Sequence, residues 1–232
     1  MIAGHVASFF LPDILWLRIP DRMFVLTFLV ATGYNSGHKF NPIIYIGFVI
    51  ICVLSYFTEQ HLPINILGTL LFVRFTLEPL TRGLFLNKSV FWSANIVFII
   101  LFPITNSLFE YGTLAYILAL AGWINKNQHL VKNIINPLEY FIFALFAYLL
   151  ATQLTFQFPQ TQMVIVGIGC AIMMVLLYHL KTLLLNSIRA KPTDTISRFC
   201  QFLGHKSLEI YIFHYALFQI VMIYIMYIYA RS

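Results

Sequence analysis

The sequence predicts an all-α, polytopic integral membrane bundle of about eight or nine transmembrane helices, forming a single domain over residues 1–232. Three observations lead there. Of the 232 residues, 60% are hydrophobic and 9% charged, against roughly 25% charged in an ordinary soluble domain, which leaves too little polar surface to face water. Apolar runs approach the roughly 20 residues needed to cross a bilayer: Ile210 to Ala230 has only His214 and Gln219 as clearly polar side chains, and Met163 to Tyr178 has none that is charged. No period-2 alternation appears, and lipid offers no partners to open backbone groups, so the spans are helices rather than barrel strands.

The spans fall at 1–12, 22–33, 41–57, 63–80, 90–103, 110–124, 134–153, 162–181 and 206–230. Asn41-Pro42, Leu62-Pro63 and Asn136-Pro137 punctuate several of their edges. The first two runs hold about a dozen apolar positions each, below a normal crossing length, which implies an incomplete, tilted or broken pair. No repeat, low-complexity tract or second domain is evident. With no basic n-region and no small-residue cleavage site at the start, a removable signal peptide is not expected.

Charge sets the orientation. If the long polar segment 181–206 is cytoplasmic, alternation puts Lys39, Arg82, Lys88, Lys126, Lys132, Lys181, Arg189, Lys191, Arg198 and Lys206 inside. Only Arg18, Arg22 and Arg231 then lie outside, which is the positive-inside asymmetry of a multi-pass protein, such as one of the bacterial inner membrane. That asymmetry accounts for the formal charge of +6 without nucleic acid. Cys52, Cys170 and Cys200 have no metal-ligand spacing, so no metal site is expected.

Ionisable groups in hydrocarbon are costly and therefore point to function. Arg74 and Glu78, four apart on one helix face, are placed to form an ion pair, structural or substrate-contacting, and are expected to reach each other or another polar residue. Ser207, Tyr211, His214 and Phe218 recur at helical spacing, so a hydroxyl, a phenol and an imidazole point one way, able to orient a substrate or relay a proton. A core histidine bonded to a neighbouring helix has the same appearance. His5 has small neighbours, Ala3, Gly4 and Ala7, that admit a helix or ligand closely; it suits a general base or an acyl-carrying nucleophile. It is expected to face the bundle interior near His214 or Arg22, where the bland alternative is a histidine exposed at a frayed end. Arg18, Pro20, Asp21 and Arg22 bring two guanidiniums to the membrane edge, as a clamp for phosphate or carboxylate or as snorkelling side chains.

The order of these motifs resembles the TraX family, membrane proteins that acetylate conjugative pilin, within the wider group of membrane acyltransferases that includes sugar O-acyltransferases. The segments carrying the resemblance are MIAGHV, LRIPDRMFVLTFLVATGYNSGH, LPINILGTLL, FEYGTLAYILAL and LGHKSLEIYIFHYAL. They are spread along most of the chain, in family order. The chain has Gly4 where the family pattern has Asp before the histidine, and Asp21-Arg22 and Phe24-Val25 where it has Gly-Arg and Phe-Pro. The resemblance implies His5, Arg22 and His214 as catalytic groups. Arg18, Asn65, Glu110, Tyr111, Ser207 and Tyr211, with Arg74 and Glu78, would line the substrate path. It also implies acetyl-CoA as acyl donor, a pilin-like or glycan amine or hydroxyl as acceptor, and the bilayer, with a homo-oligomer or membrane-complex partner, as surroundings. Two other classes fit the residues: a transporter or channel whose Arg74, Glu78 and His214 form a polar path, and a non-catalytic membrane subunit.

The charge asymmetry predicts that Lys191 and Arg198 lie on one side of the membrane and Arg18 and Arg22 on the other. Single cysteines at these positions in a Cys-free background should react with an impermeant thiol reagent from opposite sides. Labelling of both loops from the same side overturns the topology.

Overall fold

The computed structural model describes residues 2–11, 13–36, 42–58, 64–179 and 206–229. Lys39, Cys200, Arg231 and nearly all of the 181–206 segment, including Lys181, Arg189, Lys191 and Arg198, lie outside the described residues.

The described chain is a helical bundle. Its helices are α1 (Ile2–Phe10), α2 (Arg18–Tyr34), α3 (Pro42–Phe57), α4 (Ile66–Leu84), α5 (Lys88–Leu108), α6 (Leu114–Lys126), the short α7 (Gln128–Val131), α8 (Pro137–Phe156), α9 (Gln160–Tyr178) and α10 (Ser207–Tyr229), with a 3₁₀ turn at Leu15–Leu17. Among the described residues four helices are long and apolar enough to cross a membrane: Lys88–Leu108, Pro137–Phe156, Gln160–Tyr178 and Ser207–Ile228. Pro42–Phe57 and Leu114–Lys126 are shorter apolar helices. On α5 only Phe91 and Asn95 are buried, and Ile100 and Ile104 are 66% and 64% exposed. Water would not tolerate so continuous an apolar face, whereas lipid accepts it.

Local chemistry sets the ends. Asn87 caps α5 through Val90 N–H, and Asn136, followed by Pro137 at the first helical position, caps α8 through Leu138 N–H. Helix α2 begins four residues before the expected edge and α5 runs five beyond it, through Pro103. Polar first-turn residues and an internal proline hide such edges from an apolar-run reading.

Helix α6 is the central strut. Nearly all of it is buried, from Leu114 to Asn125, so its sides meet protein rather than lipid. It lies parallel to α2, since Arg22 meets Tyr111 at one end and Ser36 O accepts from Lys126 Nζ at 3.0 Å at the other. Asn125 Nδ2 donates to Leu177 O at 2.9 Å, so α9 ends at the same level. Tyr148 meets Arg22, and Tyr140 meets Asn95 and Ile117, so α8 returns in the opposite sense. Arg82 and Lys126 share one pocket with Ser36, at the end of α2 remote from Arg18 and Arg22.

The α2–α6 contact is close because two glycines face it. A Cβ on Gly33 would strike the Ala119 carbonyl, and one on Gly122 would strike Val30 O and Tyr34 N. Small residues at such crossings let backbones approach and gain dispersion where lipid supplies no hydrophobic drive.

Gly122→Ala should therefore lower the unfolding temperature in detergent by an overpacking cost of about 1–3 kcal/mol. Gly83→Ala, on α4 with open space around it, should be neutral or slightly stabilising. Equal effects from both would remove the close-packing account.

Candidate functional site

Helix α1 brings His5 against α10. His5 Nδ1 and His214 Nε2 are 2.8 Å apart, and the rings of Tyr211 and Tyr215 stand edge-on to His5 at 5.3 and 4.8 Å. His214 Nδ1 lies 2.6 Å from the Ile210 carbonyl oxygen. A carbonyl only accepts, so Nδ1 of His214 carries the proton and donates. In the neutral pair Nε2 of His214 is then the acceptor, His5 Nδ1–H donates to it, and the lone pair of His5 sits on Nε2. One backbone carbonyl thus fixes both tautomers.

The second part of the site is built around Arg22, in the second turn of α2. Asp21 and Arg22 are 3% and 9% exposed, and the Asp21 carboxylate accepts from Arg22 Nη2. Gly4 makes room for it: a Cβ at that position would collide with the Asp21 side chain. Arg22 Nη1 donates to Tyr111 Oη at 2.5 Å, its guanidinium lies 4.4 Å over the Phe156 ring centroid, and Tyr148 Oη donates to the Arg22 carbonyl at 2.6 Å. A cation this deep is tolerable only with such partners.

The turn between α5 and α6 presents Tyr111 in the left-handed region, with φ of 68°. That conformation costs a non-glycine residue of the order of 1–3 kcal/mol and persists where its surroundings enforce it. Here the Tyr111 N–H donates to Asn106 Oδ1 at 3.1 Å and its hydroxyl is held by Arg22. The backbone of the turn is fastened to the entry of α4: Ile64 N donates to Leu108 O and Glu110 N to Ile64 O, both at 2.8 Å. Glu110 Oε2 accepts from Ile66 N at 2.8 Å, a carboxylate at a helix N-terminus.

Between these groups lies a cavity of about 210 Å³, lined by Arg22, Glu110, Tyr111, Tyr148 and Phe156, with Ser8, Asn106, Thr152 and Thr155 as further polar groups. Ser8 is about one turn along α1 from His5, so the imidazole pair lies beside the cavity rather than on its wall.

The structure thus brings together His5, His214 and Tyr211 in one cluster, and Arg22, Tyr111 and Glu110 in the other. Arg18 joins the second, its guanidinium 5.5 Å from the Phe156 centroid. Asn65 is spent on capping α4, accepting from Leu67 N at 3.0 Å and Gly68 N at 3.3 Å. Ser207 lies at the start of α10, a turn before Tyr211. The expected Arg74–Glu78 ion pair is not made: among the described residues the ion pairs are Asp21–Arg22 and Lys206–Glu209. Arg74 has a contact of its own, while Glu78 is exposed in the pocket with Arg82 and Lys126. Arginine preceding glutamate is the weaker order for such a pair, and Pro79 interrupts the helix ladder beside it. Asp21, named only as a neighbour of the two arginines, belongs to the site, as do Asn106, Tyr148, Thr152 and Phe156, which had not been singled out. Only Asp21, a carboxylate beside Arg22 entering an apolar helix, carried a signal in the sequence. Among the described residues no group of three or more His, Cys, Asp or Glu side chains could hold a metal ion.

Breaking the buried pair should cost more than removing it. Arg22→Met takes from the Asp21 carboxylate its ion-pair partner and should destabilise by about 3–5 kcal/mol. Arg22→Met combined with Asp21→Asn should recover much of that, as read by denaturant unfolding in detergent. A double variant no better than the single one would show that the ion pair is not what holds this region. In comparisons with known protein families, curated proteins and solved structures, nothing matches the chain.

Proposed function

We propose that the chain is a TraX-like membrane acyltransferase. It transfers an acetyl group from acetyl-CoA to a hydroxyl or amine of a pilin-like or glycan acceptor. The observation that carries this reading is the His5–His214 pair, with tautomers that leave a free lone pair on His5 Nε2 beside a polar cavity. As the acceptor oxygen or nitrogen attacks the thioester carbonyl, His5 Nε2 takes its proton. The C–S bond then breaks, and the departing thiolate of coenzyme A recovers that proton from the His5 imidazolium. His214 Nε2 accepts from His5 Nδ1–H throughout and steadies the charge that develops, the role a third group plays behind any activated nucleophile–base pair.

The cavity of about 210 Å³ suits the reacting end of an acceptor rather than a whole coenzyme A. Asp21, set against Gly4 from the neighbouring helix, supplies a carboxylate in the space where the family pattern carries Asp before the histidine. In this reading the protein crosses a bacterial inner membrane eight or nine times, with the 181–206 segment cytoplasmic and the Arg18–Arg22 end outside. The alternation of helix directions and the opposed positions of Arg82 with Lys126 and Arg18 with Arg22 support that topology. A homo-oligomer or a membrane-complex partner is compatible with the exposed apolar helix faces.

Purified protein in nanodiscs, incubated with radiolabelled acetyl-CoA and candidate acceptors, should incorporate label. His5→Ala should abolish transfer with the fold intact, a loss of about 10²–10⁴-fold, while Ser207→Ala should retain part of the rate. Full activity in His5→Ala rejects the mechanism, and solute flux without acetylation transfers the site to a transporter.

A further inference from the structure

Two donors in the site remain unspent. The Nε–H groups of Arg22 and Arg18 are both buried and, among the described residues, have no hydrogen-bond partner. Native proteins rarely leave such groups unmatched, and each instance calls for an explanation. Arg22 uses its other two nitrogens on Asp21 and Tyr111, and it lines the cavity. Arg18 lies one turn before Arg22 on the same helix face, and both guanidiniums crowd one ring, with their carbons 5.5 and 4.4 Å from the Phe156 centroid. Like charges at this spacing repel, and Asp21 is bonded to Arg22. Glu110, across the cavity, is turned to Ile66 N–H. Arg22 thus lines the cavity, Arg18 stands behind it against Phe156, and neither Nε–H has an acceptor among the described residues.

We propose that this cavity binds a ligand through an anionic oxygen group, a phosphate or carboxylate, held by Arg22 with Arg18. A guanidinium donates along fixed directions that match the oxygens of such a group, and stacking on Phe156 holds that plane in place. Ser8, Asn106, Thr152 and Thr155 line the rest of the cavity with hydroxyls and an amide suited to hydroxyls borne by the same molecule. In terms of the acyl-transfer reading, on which this identification of the molecule rests, the anion belongs to the acceptor, and its charge anchors the acceptor so that a hydroxyl or amine comes to the His5 side. Free phosphate esters and phospholipid headgroups share this chemistry.

The test needs no acetyl-CoA. Lipid-depleted protein in a neutral maltoside detergent is titrated at constant ionic strength with glucose 1-phosphate, with glucose as the neutral control, and separately with phosphatidylglycerol; the unfolding temperature is the readout. Saturable stabilisation by glucose 1-phosphate and not by glucose supports a soluble anionic ligand. Stabilisation by phosphatidylglycerol alone supports a lipid headgroup. In either case Arg18→Gln and Arg22→Lys should weaken binding by roughly 10- to 100-fold, the loss expected of a charge-assisted hydrogen bond. Arg18→Gln, at a half-buried position outside the Asp21 ion pair, keeps the comparison usable should Arg22→Lys not fold. No saturable stabilisation by either anion, or equal stabilisation of wild type and Arg18→Gln, overturns the proposal. Anion binding with no acetyl transfer to any acceptor would reject the acyltransferase and leave this site standing. Acetyl transfer to a neutral acceptor without anion binding would do the reverse.

Discussion

A guanidinium buried where three helices meet dictates much of this architecture. Arg22 cannot lose its charge, so its surroundings must supply what water would have supplied. Asp21 brings the countercharge, Tyr111 and Phe156 bring a hydroxyl and a ring face, and Tyr148 ties down the backbone at the same residue. The partners come from α2 itself, from the α5–α6 turn and from α8, and each element is constrained to deliver its own. Gly4 is open so that Asp21 fits, the α5–α6 turn holds Tyr111 at positive φ, and the last turn of α8 stops beside α2. The close α2–α6 packing through Gly33 and Gly122 keeps these parts in register along the rest of the bundle.

The two clusters divide the chemistry between them. The imidazole pair offers a proton acceptor whose tautomer is set by the Ile210 carbonyl, and the arginine cluster offers fixed donors and positive charge. Such a division suits a reaction in which one group must be activated and the rest of the substrate held still. Neither cluster contains a flexible loop side chain as its main contributor. His5, Arg22, Tyr148 and His214 all stand on helices, so the geometry is carried by packing rather than by local ordering.

The helical class was legible because composition and apolar run length depend only on the bilayer. His5, Arg22 and His214 were legible because an ionisable group in an apolar run stands out without any knowledge of its neighbours. Pairing was less so. Arg74 has a contact, but not with Glu78, because spacing places two residues on one face without saying that their side chains turn toward each other. Asn65 caps α4, a use that an amide preceding an apolar helix suits. Tyr148, Thr152 and Phe156 could not be found because they read as ordinary lining of an apolar helix until α8 is laid against α2.

The hydrogen bond between His5 and His214 joins residues 209 positions apart in the chain. During synthesis α1 is made early, yet its imidazole has no partner until α10 has emerged and inserted, with every intervening helix already in place between them. The proton acceptor with a defined tautomer therefore does not exist in any shorter nascent chain. A chain cut short before α10 has the residues of the arginine cluster but not those of the dyad. The contact thus makes the imidazole pair contingent on the insertion of α10, a dependence written into the topology itself.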